Sequence, residues 1–494
     1  MLIWFLPLFL LILMLGMPVV FALLLAPGVM LWADGSSRDL AIMYRNVFNG
    51  IDVFLLAALP FFMLAGEIMN RGGITARIVE FSQAFMGHLR GGLAHVNILS
   101  SILFAGLSGS AVADTSALGS TLIPAMEKQG YTRRFAAAIT AASSVIGPII
   151  PPSGIMIIYA SVMEQSVAAL FLAGIVPGIL VGAGLMVMVR LLADRYDMPQ
   201  AERIVARDQS VGAAEWWTSW VIARAVIGGL IALLLTLVAD RIAPGTLPWW
   251  GAWLLGAALA HVLLGAWKRR ISHDFRVVCK RAAAPLLTPI IILGGILGGV
   301  FTPTEASAIA VAYALFVAFF VLRSMRLSDL SGVLARSAMA SAAVLLLVGA
   351  AVAFKSVVSL SQAPQIMTDY ILALSQNPLI LLFLINLLLF VVGMFLDAGP
   401  AIIILGPILA PVFTELGVDP VHFAIIMSVN LTVGLATPPM GLVLFVASTV
   451  SGEKVETISK AILPFLAIEV AVIFLITYVP AISLTVPRLA GFLN

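Results

Sequence analysis

The sequence predicts an all-α polytopic membrane protein, folded as an inverted-topology repeat with two re-entrant hairpins and two broken helices. Of its 494 residues, 62% are hydrophobic and 10% are charged, and the mean hydropathy is +1.12. Soluble domains are about a quarter charged, so this chain lacks the polar groups to cover a water-facing surface. Its apolar runs do not alternate as barrel strands do. The spans are therefore expected to be helices, whose backbone groups bond internally.

The repeat is visible in a Gly/Pro-rich stretch that occurs twice, each time inside an apolar segment. Residues 147–154 read GPIIPPSG and residues 434–441 read GLATPPMG. Positions 438 and 151 differ by 287, and so do positions 441 and 154 and positions 448 and 161. Such a constant offset indicates a duplicated unit. A helix broken at membrane depth in each half of a repeated chain points to the binding site of a transporter.

The first repeat is predicted to cover residues 1–193. Residues 2–15 and 19–32 form either one kinked helix or a pair, and the similar runs 285–300 and 304–321 favour a pair. The other predicted elements are a span at 53–69, an interfacial helix within 71–92, a re-entrant hairpin at 97–126 with its tip near 106–110, a broken helix at 135–160 and a span at 168–192.

A basic linker at 194–281 is predicted to separate the repeats, with two apolar runs at about 219–239 and 249–267 forming an inserted membrane hairpin. The second repeat covers 282–494. Its predicted elements are a helix pair at 285–322, a basic loop at 323–336, a span at 337–354, an interfacial segment at 355–377, a second hairpin at 378–412 broken at Gly393, Gly399 and Pro400, a broken helix at 420–447 and a last span at 461–485.

The distribution of Lys and Arg predicts the orientation of these elements. Both flanks of the insert are basic: Arg195, Arg203 and Arg207 precede it, and Lys268, Arg269, Arg270, Arg276, Lys280 and Arg281 follow it. Basic loops stay in the cytoplasm. Counting spans from these flanks, the first hairpin enters from the cytoplasmic side and the second from the opposite side, so the two halves are inverted.

Polar residues lie around the predicted breaks in both halves. Asp114 and Asp397 are placed inside apolar segments, where a charge is expensive and functional by default. Oxygen ligands of this kind suit an alkali cation, and helix N-terminal ends suit a carboxylate. Glycine and serine also serve as close-packing residues in membrane helices, so a purely structural role stays open for each serine. Glu67 and Glu305 near helix ends are compatible with capping, and Lys355 with an interfacial position.

Four stretches carry a family resemblance: AGLSGSAVADTSALGSTLIPAMEKQGY at 105–131, GPIIPPSGIMIIYA at 147–160, GGVFTPTEASAIAVAYAL at 298–315 and TPPMG at 437–441. They resemble the large membrane subunit of tripartite ATP-independent periplasmic (TRAP) transporters, over about 1–190 and 282–494. The resemblance implies a Na⁺-driven, elevator-type importer in the bacterial inner membrane, and no enzyme. Its implied partners are a periplasmic substrate-binding protein, a small four-helix membrane subunit, lipid and an organic-acid substrate such as a C4-dicarboxylate, a 2-oxo acid or a sugar acid.

Site residues follow by motif, with Na⁺ as the coupling ion, no other metal or organic cofactor, and no nucleic-acid partner. The expected first Na⁺ site comprises Ser108, Ser110, Asp114, Ser143, Gly147, Pro151 and Ser153. The expected second Na⁺ site comprises Gly393, Asp397, Asn430, Thr432, Gly434, Thr437, Pro438 and Met440. The expected substrate site comprises Ser108, Gly109, Pro152, Ser153, Asp397, Ala398 and Pro439.

Two rival interpretations remain at this point. One is a stand-alone divalent-anion/Na⁺ symporter or a Na⁺/H⁺ antiporter with a similar inverted repeat. The other is a channel or a scaffold subunit that does not transport. The chain also departs from the family pattern at 210–270, where members usually have a short linker. The extra helical pair could contact the small subunit, lipid or another copy of the chain.

Overall fold

The computed structural model describes residues 4–33, 35, 37–195, 198–199, 211–242, 248–268, 272–360, 375 and 377–493. The chain is an all-α, multi-pass membrane protein. In the described part, ten helical segments are long and apolar enough to cross a membrane. Five shorter apolar helices contribute to the hairpins, the broken helices and the first helix pair.

The first half begins with two separate helices, as the sequence predicted. Gly16 between them takes a φ of +83°, a conformation that glycine adopts at little cost. The helices are α1 (Phe5–Met14), α2 (Val19–Ala33), α3 (Ser37–Ile51), α4 (Ala58–Arg71, preceded by a 3₁₀ turn at Phe54–Ala57), α5 (Ile74–Met86), α6 (Gly92–Ser108), α7 (Ala111–Lys128), α8 (Arg133–Ser144), α9 (Gly154–Met163) and α10 (Val167–Arg195).

The insert and the second half follow α10 along the chain. The insert is α11 (Ala213–Ile242) and α12 (Trp249–Lys268). The helices that follow are α13 (His273–Leu297), α14 (Pro303–Phe316, continued by a π-helical turn at Val317–Val321), α15 (Leu327–Leu360), α16 (Pro378–Phe395), α17 (Ala398–Glu415), α18 (Pro420–Gly434), α19 (Leu442–Ser451), α20 (Val455–Tyr478) and α21 (Ala481–Leu489).

Several predicted boundaries differ from the observed helices, and the larger differences are as follows. Helix α13 begins at His273, inside the predicted linker, and α15 begins at Leu327, inside the predicted basic loop. Charged residues mark the end of the membrane, and a helix can extend past that point into water. The second hairpin breaks at residues 396–397 instead of Gly393, Gly399 and Pro400, and the last predicted span ends at Tyr478, before the separate helix α21.

Some predictions fall on residues outside the described part. These are most of the interfacial segment predicted at 355–377 and the linker residues Arg203, Arg207, Arg269 and Arg270. The corresponding segment of the first half is described, and it is the helix α5.

The helices pack in two groups. In one group α15 contacts α2, α3 and α4, and α4 contacts α14. In the other, the two hairpins (α6–α7 and α16–α17) pack against the two broken helices (α8–α9 and α18–α19) and against α10 and α20. The groups meet where α4 contacts α6 and α9, and where α15 contacts α17.

The inserted helices α11 and α12 pack against each other and, through α11, against α13. Ion pairs connect the N-terminal end of α11 to α5, and α5 to α13. Arg77 on α5 contacts Glu215 on α11 at 3.0 Å, and Arg281 on α13 contacts Glu80 on α5 at 3.1 Å. The Glu215 and Arg281 side chains are only 9% and 7% exposed. Arg281 was predicted to lie in the basic linker, and in the structure it is a buried, paired residue inside α13.

Candidate functional site

The tip of the first hairpin lies at Gly109. This residue takes a φ of +59°, between the end of α6 and the start of α7. The Ser110 hydroxyl caps α7 by accepting a hydrogen bond from the Ala113 N–H at 3.4 Å. A Cβ atom added at Gly109 would lie 2.6 Å from the Pro152 carbonyl oxygen. The tip therefore touches the first break, residues 145–153 between α8 and α9, and the close approach requires glycine.

Asp114 in the first turn of α7 faces the same break. It is fully buried, and the Ser108 hydroxyl donates a hydrogen bond to its Oδ1. A Cβ added at Gly147 would lie 2.5 Å from its Oδ2, so this oxygen packs directly on the break. Among the described residues, Oδ2 has no hydrogen-bond partner. Buried carboxylate oxygens are normally paired, and a bound cation would satisfy this one.

Two other serines of the expected first Na⁺ site are engaged elsewhere. Ser143 accepts a hydrogen bond from Ser101 at 2.9 Å and lies 3.1 Å from Asn97 Oδ1, in a buried cluster between α6 and α8. Ser153 donates to the Pro148 carbonyl at 2.5 Å and accepts from the Met156 N–H at 3.3 Å, which caps α9. Pro151 is buried within the break.

The second hairpin approaches its broken helix through two glycines. A Cβ added at Gly434 would lie 2.5 Å from the Gly393 Cα, so α16 and α18 touch through their backbones. Asp397 caps α17 by accepting a hydrogen bond from the Ala398 N–H at 2.7 Å. The Asp397 side chain is exposed to a cavity, whereas Asp114 is enclosed.

The polar side chains of the other residues expected in the second Na⁺ site form hydrogen bonds to α18 or to α16. Asn430 donates to Asn386 Oδ1 at 2.6 Å and to the Ile426 carbonyl at 2.8 Å, inside a buried network. The Thr432 and Thr437 hydroxyls each donate to a carbonyl of α18. Pro438 is half-buried, and Met440 is 56% exposed. None of these hydrogen bonds involves Asp397.

A central cavity of about 330 Å³ lies between the hairpins and the other helix group. Five of the expected substrate residues line it, namely Ser108, Gly109, Pro152, Asp397 and Ala398. Of the other two, Ser153 is fully buried behind the wall and Pro439 is exposed, and neither is a lining residue.

Three helix N-termini open into this cavity. The first residues of α7, α9 and α17 are all in its wall, represented by Ala111, Gly154 and Ala398. The N-terminus of a helix carries unpaired N–H groups and a partial positive charge. A cavity with three such ends favours an anion.

The side of the cavity formed by α4 and α15 is apolar and was not predicted from the sequence. It consists of Leu59, Phe62 and Met63 on α4 and Ala343, Val344 and Leu347 on α15. These residues lie in ordinary apolar spans, so nothing in their local sequence marks them. Only the packing of α4 and α15 against the hairpins shows their position.

The chain matches the family described as "Tripartite ATP-independent periplasmic transporter, DctM component" over residues 6–482. A C4-dicarboxylate TRAP transporter large permease from Pseudomonas aeruginosa is 36% identical, covering 94% of this chain and 92% of the relative. A sialic acid TRAP transporter large permease from Vibrio cholerae is also 36% identical, covering 96% and 95%. The YdaH transporter of Alcanivorax borkumensis has a similar fold, with a TM-score of 0.55 at 16% identity over 90% of this chain and 88% of that one.

Proposed function

The chain belongs to the DctM family of TRAP transporter large permeases, and we propose that it uses a Na⁺ gradient to import a small organic acid. The central cavity carries the proposal, because it joins the tips of both hairpins to the first break and has three helix N-termini in its wall. Its volume of about 330 Å³ suits a small ligand.

The substrate is a carboxylate bound by the helix ends. The relatives are named for C4-dicarboxylate, sialic acid and 2,3-diketo-L-gulonate, which all carry a carboxylate group. The N-terminal N–H groups of α7, α9 and α17 are the donors for that group. The apolar wall from α4 and α15 then contacts the rest of the molecule.

Sodium binds at two places in this proposal. The first is the unpaired Oδ2 of Asp114 beside Gly147, with Ser108 holding the other carboxylate oxygen. The second is at Asp397, whose carboxylate is exposed in the cavity. Carboxylate and carbonyl oxygens are the ligands that hard cations prefer.

Transport proceeds by an elevator movement between inverted repeats. The hairpins and broken helices, with the bound ligands, form the moving group, and the group containing α4 and α15 forms the scaffold. The central cavity lies at the boundary of the two groups, where such a movement carries the substrate across. Lys355 on α15 crosses this boundary by donating to the Val162 carbonyl at the end of α9 at 2.6 Å.

The partners are a small membrane subunit and a periplasmic binding protein, in the bacterial inner membrane. The family name describes a tripartite system. One relative, named as an isethionate TRAP transporter permease protein DctMQ, is matched over 96% of this chain and only 65% of its own length. The additional length of that relative fits a fusion with the small subunit.

Reconstitution tests the proposal. Proteoliposomes that contain this chain with its small subunit are given a Na⁺ gradient, with and without the cognate binding protein. We expect uptake of the organic acid only when both the gradient and the binding protein are present. Uptake with Na⁺ and no binding protein would instead identify a stand-alone carrier, and uptake that ignores the Na⁺ gradient would refute sodium coupling.

A further inference from the structure

Glu469 is a buried acid in the apolar helix α20, away from the central cavity. It is 1% exposed and lies on the same stripe of the helix as Phe465 and Val472. The Phe465 ring packs on Phe135 of α8, with 5.8 Å between centroids. A Cβ added at Gly184 of α10 would lie 3.3 Å from Val472. Glu469 is thus placed at the junction of α8, α10 and α20.

Neither carboxylate oxygen of Glu469 has a hydrogen-bond partner among the described residues. The charged groups on the helices that pack against α20 are exposed and lie near helix ends; they are Arg133 and Arg134 on α8, and Arg190, Asp194 and Arg195 on α10. On α18, His422 is buried with its ring nitrogens 2.7 Å from Ser483 Oγ and 3.2 Å from the Thr477 carbonyl. Helices α16 and α19 contain no titratable residue.

The surroundings of Glu469 determine which cation this acid binds. An ionised carboxylate without a partner is costly inside a membrane protein, so the acid holds a cation in this conformation. A metal ion requires several oxygen ligands at once, and among the described residues neither oxygen of Glu469 has a hydrogen-bonding neighbour to join it as a ligand. A proton requires one oxygen, so it is the cation that fits.

A second cavity lies close to this acid and ends at Phe465. It has a volume of about 420 Å³ and lies between the start of α8 and the start of α20. Arg134, Glu456 and Lys460 are in its wall together with the pair Phe135 and Phe465. Glu469 lies one helical turn beyond Phe465. By the charge pattern, this opening is on the cytoplasmic side.

We propose that Glu469 is a proton-binding site that exchanges its proton with the Arg134-lined cavity during the transport cycle. The step is the binding of one proton to the carboxylate to give the neutral acid, and its reversal when the Phe135–Phe465 pair separates. The site is additional to the Na⁺ sites at Asp114 and Asp397.

Infrared spectroscopy of the full chain in lipid, together with its small subunit, tests the occupancy. We expect the C=O stretching band of a protonated carboxylic acid in the wild type, and the loss of that band in Glu469→Gln. Glu469→Met is the second variant in case the glutamine fails to fold, since methionine leaves no polar atom unpaired. Glu456→Gln, on the same helix but in the cavity wall, is the control and should keep the band.

Deuterium exchange tests the route. In D₂O the Glu469 band should shift in the presence of Na⁺, substrate and the binding protein, and Phe465→Ala should accelerate the shift. Phe465→Leu, which keeps most of the apolar volume, should exchange more slowly than Phe465→Ala. A wild-type spectrum identical to that of Glu469→Gln would overturn the proposal. So would a band that never exchanges during turnover, because the acid would then be a sealed structural group.

Discussion

The contact between the first hairpin tip and the first break can be tested by Gly109→Ala. The φ of +59° at Gly109 costs an alanine about 1–2 kcal/mol. The added Cβ would also lie 2.6 Å from the Pro152 carbonyl oxygen, and relief of this overlap requires the backbone of the break to move. Overpacking of this kind costs about 1–3 kcal/mol, which corresponds to about 5- to 150-fold in an equilibrium constant.

Gly130→Ala separates the two costs. Gly130 takes a φ of +94°, and nothing lies within 4 Å of an added Cβ, so this variant has the strained backbone without the overlap. Both variants are compared by thermal unfolding and by the concentrations of Na⁺ and substrate that give half-maximal uptake in proteoliposomes. We expect Gly109→Ala to raise those concentrations by at least about 5-fold, with Gly130→Ala close to wild type. Equal half-maximal concentrations in the two variants would refute the argument that this contact shapes the binding site.

Three further predictions concern the second half and the boundary between the helix groups. Asp397→Asn keeps an acceptor for the Ala398 N–H. It should lower the Na⁺ dependence of uptake while the unfolding temperature stays the same. If expression fell as much as the Na⁺ dependence, Asp397 would be a structural residue. Asn430→Ala removes the donor to Asn386 and should lower the unfolding free energy by about 1–3 kcal/mol, so an unchanged denaturation midpoint would contradict the buried network. Lys355→Met removes the cation that donates to the end of α9, a contact worth about 0.3–1 kcal/mol. It should shift the population of conformations in single-molecule distance measurements between α9 and α15, and an unchanged population would exclude Lys355 as a link across the boundary.

The breaks could be predicted from the sequence because their causes are local. Proline removes a backbone donor, and glycine permits positive φ, so the stretch around Pro151 and the tip at Gly109 are marked by their own residues. The second hairpin lacks a glycine at its tip. The chain turns at Asp397, which caps α17. The break that we predicted from Gly393 and Gly399 was therefore misplaced.

The grouping of polar side chains could not be predicted, because it depends on how each helix is rotated against its neighbours. Ser143 and Asp114 are both polar residues near the first break, yet Ser143 joins Ser101 and Asn97 while Asp114 contacts Ser108 and Gly147. The rule that drew attention to Asp114, a charge inside an apolar segment, applies equally to Glu469. The isolation of Glu469 from other polar groups became visible only in the structure.

If sodium binds at Asp397 as proposed, the position of this residue gives a physical basis for coupling between ion and substrate. Its carboxylate is exposed in the same cavity as the three helix N-termini, so its negative charge opposes the binding of an organic anion there. A sodium ion at Asp397 would cancel that charge and leave the positive helix ends to attract the substrate. Thermodynamic linkage then requires the substrate to raise the affinity of the protein for Na⁺ by the same factor by which Na⁺ raises its affinity for the substrate. In Asp397→Asn the opposing charge is absent from the start, so substrate affinity without Na⁺ should rise, and its dependence on Na⁺ should decrease.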